Sequence, residues 1–357
     1  MSLTNFPGVA LYAAVIFAFS AIVTALVLRH FRIVDVPNER SSHSTPTPRG
    51  GGLGIVLGFL LALWLIYLFG DTNTVAPLRS PPFAGFLAAV LLIAAISLHD
   101  DIAERGFASK LLIQLIAIAI AIACGVVIDA RQLGFATNGI TTPGAWLLTL
   151  FWMIGLTNAY NFMDGLDGLA GSTAAIVAVF FAAICWQQGL PFIALAALAI
   201  CAASGGFLLF NWPPAKIFMG DIGSTFLGFA FAALAVLAAN GAAATETTPN
   251  LLLVMPLLLM HYLFDTVFTF GRRLLAGENV TQAHRSHLYQ LLNRSGHSHR
   301  RVSQFHVGMA VAQGLAALWL SAAPQDASRL WIFVPFLLGH ALFAFRIMHT
   351  ARRSGLI

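Results

Sequence analysis

Eleven apolar runs set the pattern of the chain, near residues 8–28, 52–70, 83–98, 111–128, 144–157, 172–187, 190–210, 223–240, 250–270, 307–323 and 329–347. A helix needs about 20 apolar residues to cross the hydrocarbon of a bilayer. Runs of this length predict membrane-spanning helices, the third, fifth and sixth being short. The expected fold class is all-α: a polytopic integral membrane protein of about 11 transmembrane helices (10 or 11). One membrane-embedded domain covers 1–357, with no internal repeat and no separate soluble domain. Segment 271–306 is the longest polar connection.

Short polar islands separate the runs. Five of the fourteen acidic residues lie in three of them: His99-Asp100-Asp101, Asn158 to Gly171 (NAYNFMDGLDGLAG) and Phe218 to Ser224 (FMGDIGS). A carboxylate beside hydrocarbon is costly and marks a place where charge is handled.

Composition agrees with this picture. The chain is 59% hydrophobic and 9% charged, against about 25% charged in soluble domains. Sixteen of the nineteen Lys and Arg residues fall on one side of the alternating spans; only Arg79, Arg131 and Arg329 fall on the other. The positive-inside rule then puts the N-terminus outside and every polar island on the cytoplasmic face. The net charge of +5 reports topology; no basic patch is interleaved with base-stacking aromatics, so no nucleic-acid partner is expected. Cys124, Cys185 and Cys201 sit in apolar runs without ligand spacing and read as small buried residues. The first run has no basic region before it and no small-residue cleavage site after it, and reads as a retained helix.

Each island leaves alternatives. In VDVPNERSSHSTPTPRGGGLG, Arg40, His43 and Arg49 offer cationic donors suited to phosphate. Gly50, Gly51, Gly52 and Gly54 let backbone approach a ligand or a neighbouring helix. Asp100 and Asp101 repel each other unless Lys110 and Arg105, or a divalent cation such as Mg²⁺, pairs with them. Glu104, beside them, has no fixed role. Asp164 and Asp167 share a face if their segment is helical, yet Gly165, Gly168 and Gly171 favour irregular backbone lining a cavity. Asn158 and Asn161 supply matching donors and acceptors. Asp221 is either a site carboxylate or a simple helix N-cap. His284, Arg285 and His287 in AHRSHLYQ suit phosphate or anionic lipid better than zinc, because no cysteine ligand is near. Asp265, late in the ninth run, reads as structural.

Taken together, the islands from PTPRGG to HRSH resemble the polyprenyl-phosphate N-acetylhexosamine-1-phosphate transferases of bacteria. The resemblance spans most of the chain, and its motifs agree in order and sidedness. It implies a multi-pass enzyme of the bacterial inner membrane, dependent on Mg²⁺ with Mn²⁺ as the alternative ion. The enzyme moves a sugar 1-phosphate from a UDP-N-acetyl sugar to undecaprenyl phosphate and releases UMP. It also admits a homodimer. By resemblance, Asp221 is the firmest metal ligand, and Asp100 and Asp101 assist the metal or activate the acceptor. Lys110 is the basic residue that follows that pair. Asn161, Asp164 and Asp167 belong to the segment tied to uridine and catalysis, and His284 and His287 to the donor's phosphates or sugar. HRSH stands where the peptidoglycan branch carries three consecutive histidines, and Leu288-Tyr289 where another branch places more. That implies the O-antigen-initiating branch, with UDP-GlcNAc or a 6-deoxy analogue. Phospho-MurNAc-pentapeptide transfer is the alternative within the family. An ion-coupled transporter predicts midplane charges and repeats, which the sequence lacks. A CDP-alcohol phosphotransferase expects an Arg after the Ala of DGLDGLAG, where Gly171 stands.

Overall fold

The computed structural model describes residues 3, 5–31, 33–37, 42, 45–103, 106–129, 142–243, 251–282, 284–323 and 327–357. Arg40, His43, Glu104 and Arg105 lie outside the described residues. Helix α1 (Phe6–His30) leads through a two-stranded antiparallel hairpin, β1 (Val34–Asp35) and β2 (Thr47–Pro48), to α2 (Gly52–Phe69). There follow α3 (Thr72–Val75), α4 (Pro81–Ala103), α5 (Phe107–Ala123), α6 (Thr142–Phe162), α7 (Leu169–Gln187), α8 (Pro191–Asn211) and α9 (Asp221–Ala243). The chain closes with α10 (Leu251–Leu258), α11 (Met260–Leu275), α12 (Leu288–Arg294), α13 (His299–Ala322) and α14 (Phe333–Arg353).

Helix α9 is the axis of the bundle. Its span is 94% buried, and it packs against α4, α6, α2 and α10. Alanine and glycine on its faces let backbones approach closely, which is how helices associate where no water drives them together. Phe226 and Phe229 fill the gap toward Phe59 and Phe86, with Phe59 and Phe226 edge to face at 5.4 Å. Helix α14 is peripheral, only 17% buried.

Each of the eleven apolar runs is helical over most of its described length. By length and composition, eight helices among the described residues can cross a membrane, or nine if one bent pair is a single span. Helices α5 and α6, which hold two of the eleven runs, fall short of that test. Helix α5 is 17 residues long, and α6 spends its last turns on the polar sequence NAYN. The ninth run, read as one helix, breaks at Leu259 into α10 and α11 with a 67° bend. Pro256 precedes the break, and proline removes a backbone donor that a continuous helix needs. The connection expected over 271–306 is shorter and partly ordered as helix. Helix α11 runs on to Leu275, α12 lies within the connection, and α13 begins at His299. Ser298 caps α13 through the Arg301 amide. The polar first turns of α13 carry no hydropathy signal, so the run from 307 understates it.

Candidate active site

The C-terminal ends of α4 and α6 and the N-terminal ends of α5 and α9 meet at one end of the bundle. There Asp101 of α4 caps α9. Its Oδ1 accepts from the Asp221 amide (3.0 Å) and its Oδ2 from the Ile222 amide (3.1 Å). The first amides of a helix have no partner within it, and a carboxylate opposes the positive end of the helix dipole. Gly220 makes the approach possible: its φ is +76°, and a Cβ there would lie 2.6 Å from Asp101 Oδ2. The cap thus comes from another helix, and the N-cap reading of Asp221 is overturned. The Asp221 carboxylate instead accepts from Lys110 Nζ (2.6 Å) and Asn161 Nδ2 (3.0 Å). Lys110 also pairs with Asp100. The adjacent aspartates therefore divide: Asp100 faces the lysine, and Asp101 holds the helix end.

The glycine-rich loop serves a neighbouring helix. Gly51 N donates to Phe218 O (2.9 Å), Gly52 N to Met219 O (2.8 Å) and Phe218 N to Pro48 O (2.8 Å). A Cβ on Gly52 would stand 2.4 Å from Gly223 Cα. This backbone contact carries Arg49 to the rim of the site, beside Asp101.

Helix α6 ends at Phe162, so Asp164 and Asp167 lie on the irregular turn before α7, not on a helix face. Burial, together with the nearby carboxylates of Asp221, Asp101 and Asp167, pushes Asp164 up to about 8. Asp167 accepts from the Ala215 amide (3.1 Å) and pairs with His299 Nδ1 (3.2 Å). Asn211 bonds Gly168 N and Ile217 O, both at 2.9 Å, tying this turn to the α8–α9 connection. Asn158 donates to Gln114 Oε1 (2.8 Å), and Asn161 also donates to Ser224 Oγ (2.8 Å).

His284 and His287 stack with ring centroids 4.9 Å apart. His287 Nδ1 bonds Asp265 Oδ1 (3.0 Å). Asp265 also accepts from the Leu288 and Tyr289 amides at 2.9 and 3.0 Å, so it fixes the start of α12. Burial lowers His284 to about 4, with His287, Arg273 and Arg272 adding repulsion. It is neutral at pH 7. Buried Arg273 binds Glu278 and the Asn279 and Gln282 carbonyls, which anchors this connection. Arg285 lines neither cavity described next.

Two cavities meet here. One, of about 470 Å³, has apolar walls from α4, α5 and α11 and reaches Asp100, Lys110, His284 and His287. The other, of about 320 Å³, is lined by Arg49, Asp101, Asp164, Asp167 and His299. Asn161, Asp221 and Gln290 line both. No group of three His, Cys, Asp or Glu side chains among the described residues is placed to hold a metal by itself. His299, Asn211, Gln290 and Arg273 were not singled out from the sequence. Of these only His299 had a sequence signal, as part of the basic run SGHSHRR.

Residues 83–239 match the model of glycosyl transferase family 4. The chain is 30% identical over 312 residues to the probable undecaprenyl-phosphate N-acetylglucosaminyl 1-phosphate transferase of Bacillus subtilis (strain 168), covering 84% of this chain and 83% of that protein. It is 33% identical over 315 residues to the decaprenyl-phosphate N-acetylglucosaminephosphotransferase of Mycobacterium leprae, covering 82% and 78%. Identity reaches 47% with the phospho-N-acetylmuramoyl-pentapeptide-transferase of Geobacillus kaustophilus, over 117 residues that cover 30% of this chain and 36% of that one. The order of the acidic islands, their convergence at one end of the bundle and the extent of these matches agree: the chain belongs to glycosyl transferase family 4, among the polyprenyl-phosphate N-acetylhexosamine-1-phosphate transferases.

Proposed function

We propose that this protein transfers N-acetylhexosamine 1-phosphate from a UDP-sugar, UDP-GlcNAc or a 6-deoxy analogue, to undecaprenyl phosphate. The products are the undecaprenyl-diphospho-sugar and UMP, and the reaction begins an O-antigen or another cell-envelope polysaccharide. The observation that carries this reading is the junction of an apolar-walled cavity with a carboxylate-rich one at Asn161 and Asp221. A lipid phosphate and a water-soluble diphosphate need such a meeting point. Grouping of the carboxylates at helix ends favours this over a transporter with charges at mid-depth. The polypeptide has its N-terminus outside and its site on the cytoplasmic face of the bacterial inner membrane, as its basic residues suggest. Helices α5 and α6 then complete eleven spans.

The chemistry makes one P–O bond and breaks another. An oxygen of the lipid phosphate attacks the sugar-bearing phosphorus, and the diphosphate bond opens to release UMP. Direct displacement predicts inversion at that phosphorus. Anions must be brought together, so the barrier is largely electrostatic. Lys110, between Asp100 and Asp221, supplies cationic charge at the junction. Asp164 is raised to about 8 by burial and the neighbouring carboxylates when no metal is bound, and a cation among them would lower it toward neutral pH. His287, its Nδ1 engaged by Asp265, has Nε2 left for substrate.

The carboxylates of Asp221 and Asp100 suit a hard ion, with Asp101, whose oxygens hold the α9 amides, beside them. Mg²⁺ commonly takes one or two carboxylates and completes its shell with phosphate oxygens and water, so these residues fit an ion that arrives with a diphosphate. Bound there, Mg²⁺ would neutralise developing phosphate charge.

The test is UMP release by the purified protein with undecaprenyl phosphate, Mg²⁺ and a panel of UDP-sugars. Asp221→Asn is expected to remain folded and lose turnover. Full activity in that variant removes Asp221 from the site, and no release with any UDP-sugar overturns the function.

A further inference from the structure

The break at Leu259 leaves backbone groups without helical partners. The Tyr262 and Leu263 amides both turn to Leu259 O. Leu258 O, which a continuous helix would pair with the Tyr262 amide, is left open, as is the His261 amide. Within a bilayer such groups must find partners inside the protein. The partner is one side chain of another helix, Gln313 of α13, which is fully buried. With its amide oriented by its neighbours, the nitrogen donates to Leu258 O (3.1 Å) and His261 Nδ1 (2.6 Å). Its oxygen accepts from His261 N (3.3 Å) and from His340 Nε2 of α14 (3.1 Å). A single amide thus closes both sides of the break and ties it to two further helices.

We propose that Gln313 is a positioning residue that pins the α10–α11 break and thereby places His287 at the wall of the reaction cavity. His261 and Asp265 are four residues apart, so they lie on one face of α11. The pin therefore acts one turn from the carboxylate that grips His287 and the first amides of α12. The same helix contributes Thr266, Val267, Phe270 and Arg273 to the apolar-walled cavity. The direction in which α11 leaves the break decides where that wall stands. Hydropathy cannot show this: in sequence, Gln313 is one of two polar residues, with Ser321, in an apolar run. The role in turnover rests on the transferase reading; the geometric role does not.

Two arms test it. The first measures geometry without any reaction, by electron paramagnetic resonance distances between nitroxides at Leu209 of α8, away from the break, and Leu275 at the end of α11, in a cysteine-free background. Both positions are exposed. Helix α11 has 16 residues, a lever of about 24 Å, so each 10° of swing moves its end by about 4 Å. Gln313→Leu, similar in volume but unable to bond, is expected to shift or broaden that distance. Gln313→Glu keeps the acceptor half and should move it less; it carries the measurement if the leucine variant does not fold. An unchanged distance overturns the pin. The second arm is a double-mutant cycle with His287→Ala. Gln313→Leu should lower kcat/KM about 10- to 100-fold in the parent protein but by less than about twofold once His287 is gone. Equal losses in both backgrounds overturn positioning through His287. A parent protein with no transferase activity, but a distance that shifts as expected, overturns the proposed function and leaves the pin standing.

Discussion

Lys110→Gln isolates the charge that holds the junction together. Lys110 Nζ lies 2.6 Å from Asp221 Oδ2 and also pairs with Asp100. The side chains of Lys110, Asp221 and Asp100 are 36%, 30% and 6% exposed. Unit charges about 4 Å apart attract by about 4 kcal/mol at an effective dielectric of about 20. Solvent at the lysine head screens part of this, and desolvation offsets more, so the expected loss of stability is about 1–3 kcal/mol. The variant leaves Asp100 and Asp221 without their shared cation. Under the proposed metal binding a divalent ion would supply that charge, and in the variant it would have no ammonium to displace. Saturating ion at about 100 times its Kd stabilises a protein by about 2.7 kcal/mol; Mg²⁺ should stabilise Lys110→Gln by more than the parent. Thermal unfolding in detergent, with chelator and then with Mg²⁺, measures both quantities. Equal stability of the two proteins in chelator, or an equal Mg²⁺ increment, would refute the reasoning.

Other substitutions probe the scaffold and the proton. Asp101→Ala removes both caps from α9 and should cost about 1–2 kcal/mol, with turnover falling because Asp221 is the first residue of that helix; unfolding and UMP release in parallel check it. Gly52→Ala sets a methyl 2.4 Å from Gly223 Cα, an overpacking cost of about 1–3 kcal/mol that a lowered unfolding midpoint would show. Asp164 binds its proton more tightly in the folded state, up to about 8, than its ordinary carboxylate value. Without metal, folding stability should therefore fall as pH rises from about 4 to about 8. Asp164→Asn should flatten that fall, and an unchanged pH profile would contradict it.

The apolar runs became helix over most of their length because a polypeptide in hydrocarbon must satisfy its own backbone, and local composition alone meets that demand. That the islands meet at one end of the bundle was legible for a related reason: helices that cross alternately bring every second connection to the same end. The carboxylates of Asp100, Asp101, Asp164, Asp167 and Asp221 could thus be grouped from sequence. Their separate duties could not. Asp100 and Asp101 are neighbours in the chain, yet one meets a lysine and the other two amides of a helix that begins 120 residues later. Asp221 reads as a cap by position and is released from capping by Asp101. The bend at Leu259, its closure by Gln313 and the grip of Asp265 on His287 likewise depend on α13 and α12 arriving at α11. Apolar length and charge sign are properties of a segment, so the sequence alone determined the membrane class, the helices and the company the site residues keep. A carboxylate's task is set by what stands within about 3 Å of it, and only the packed bundle decided that.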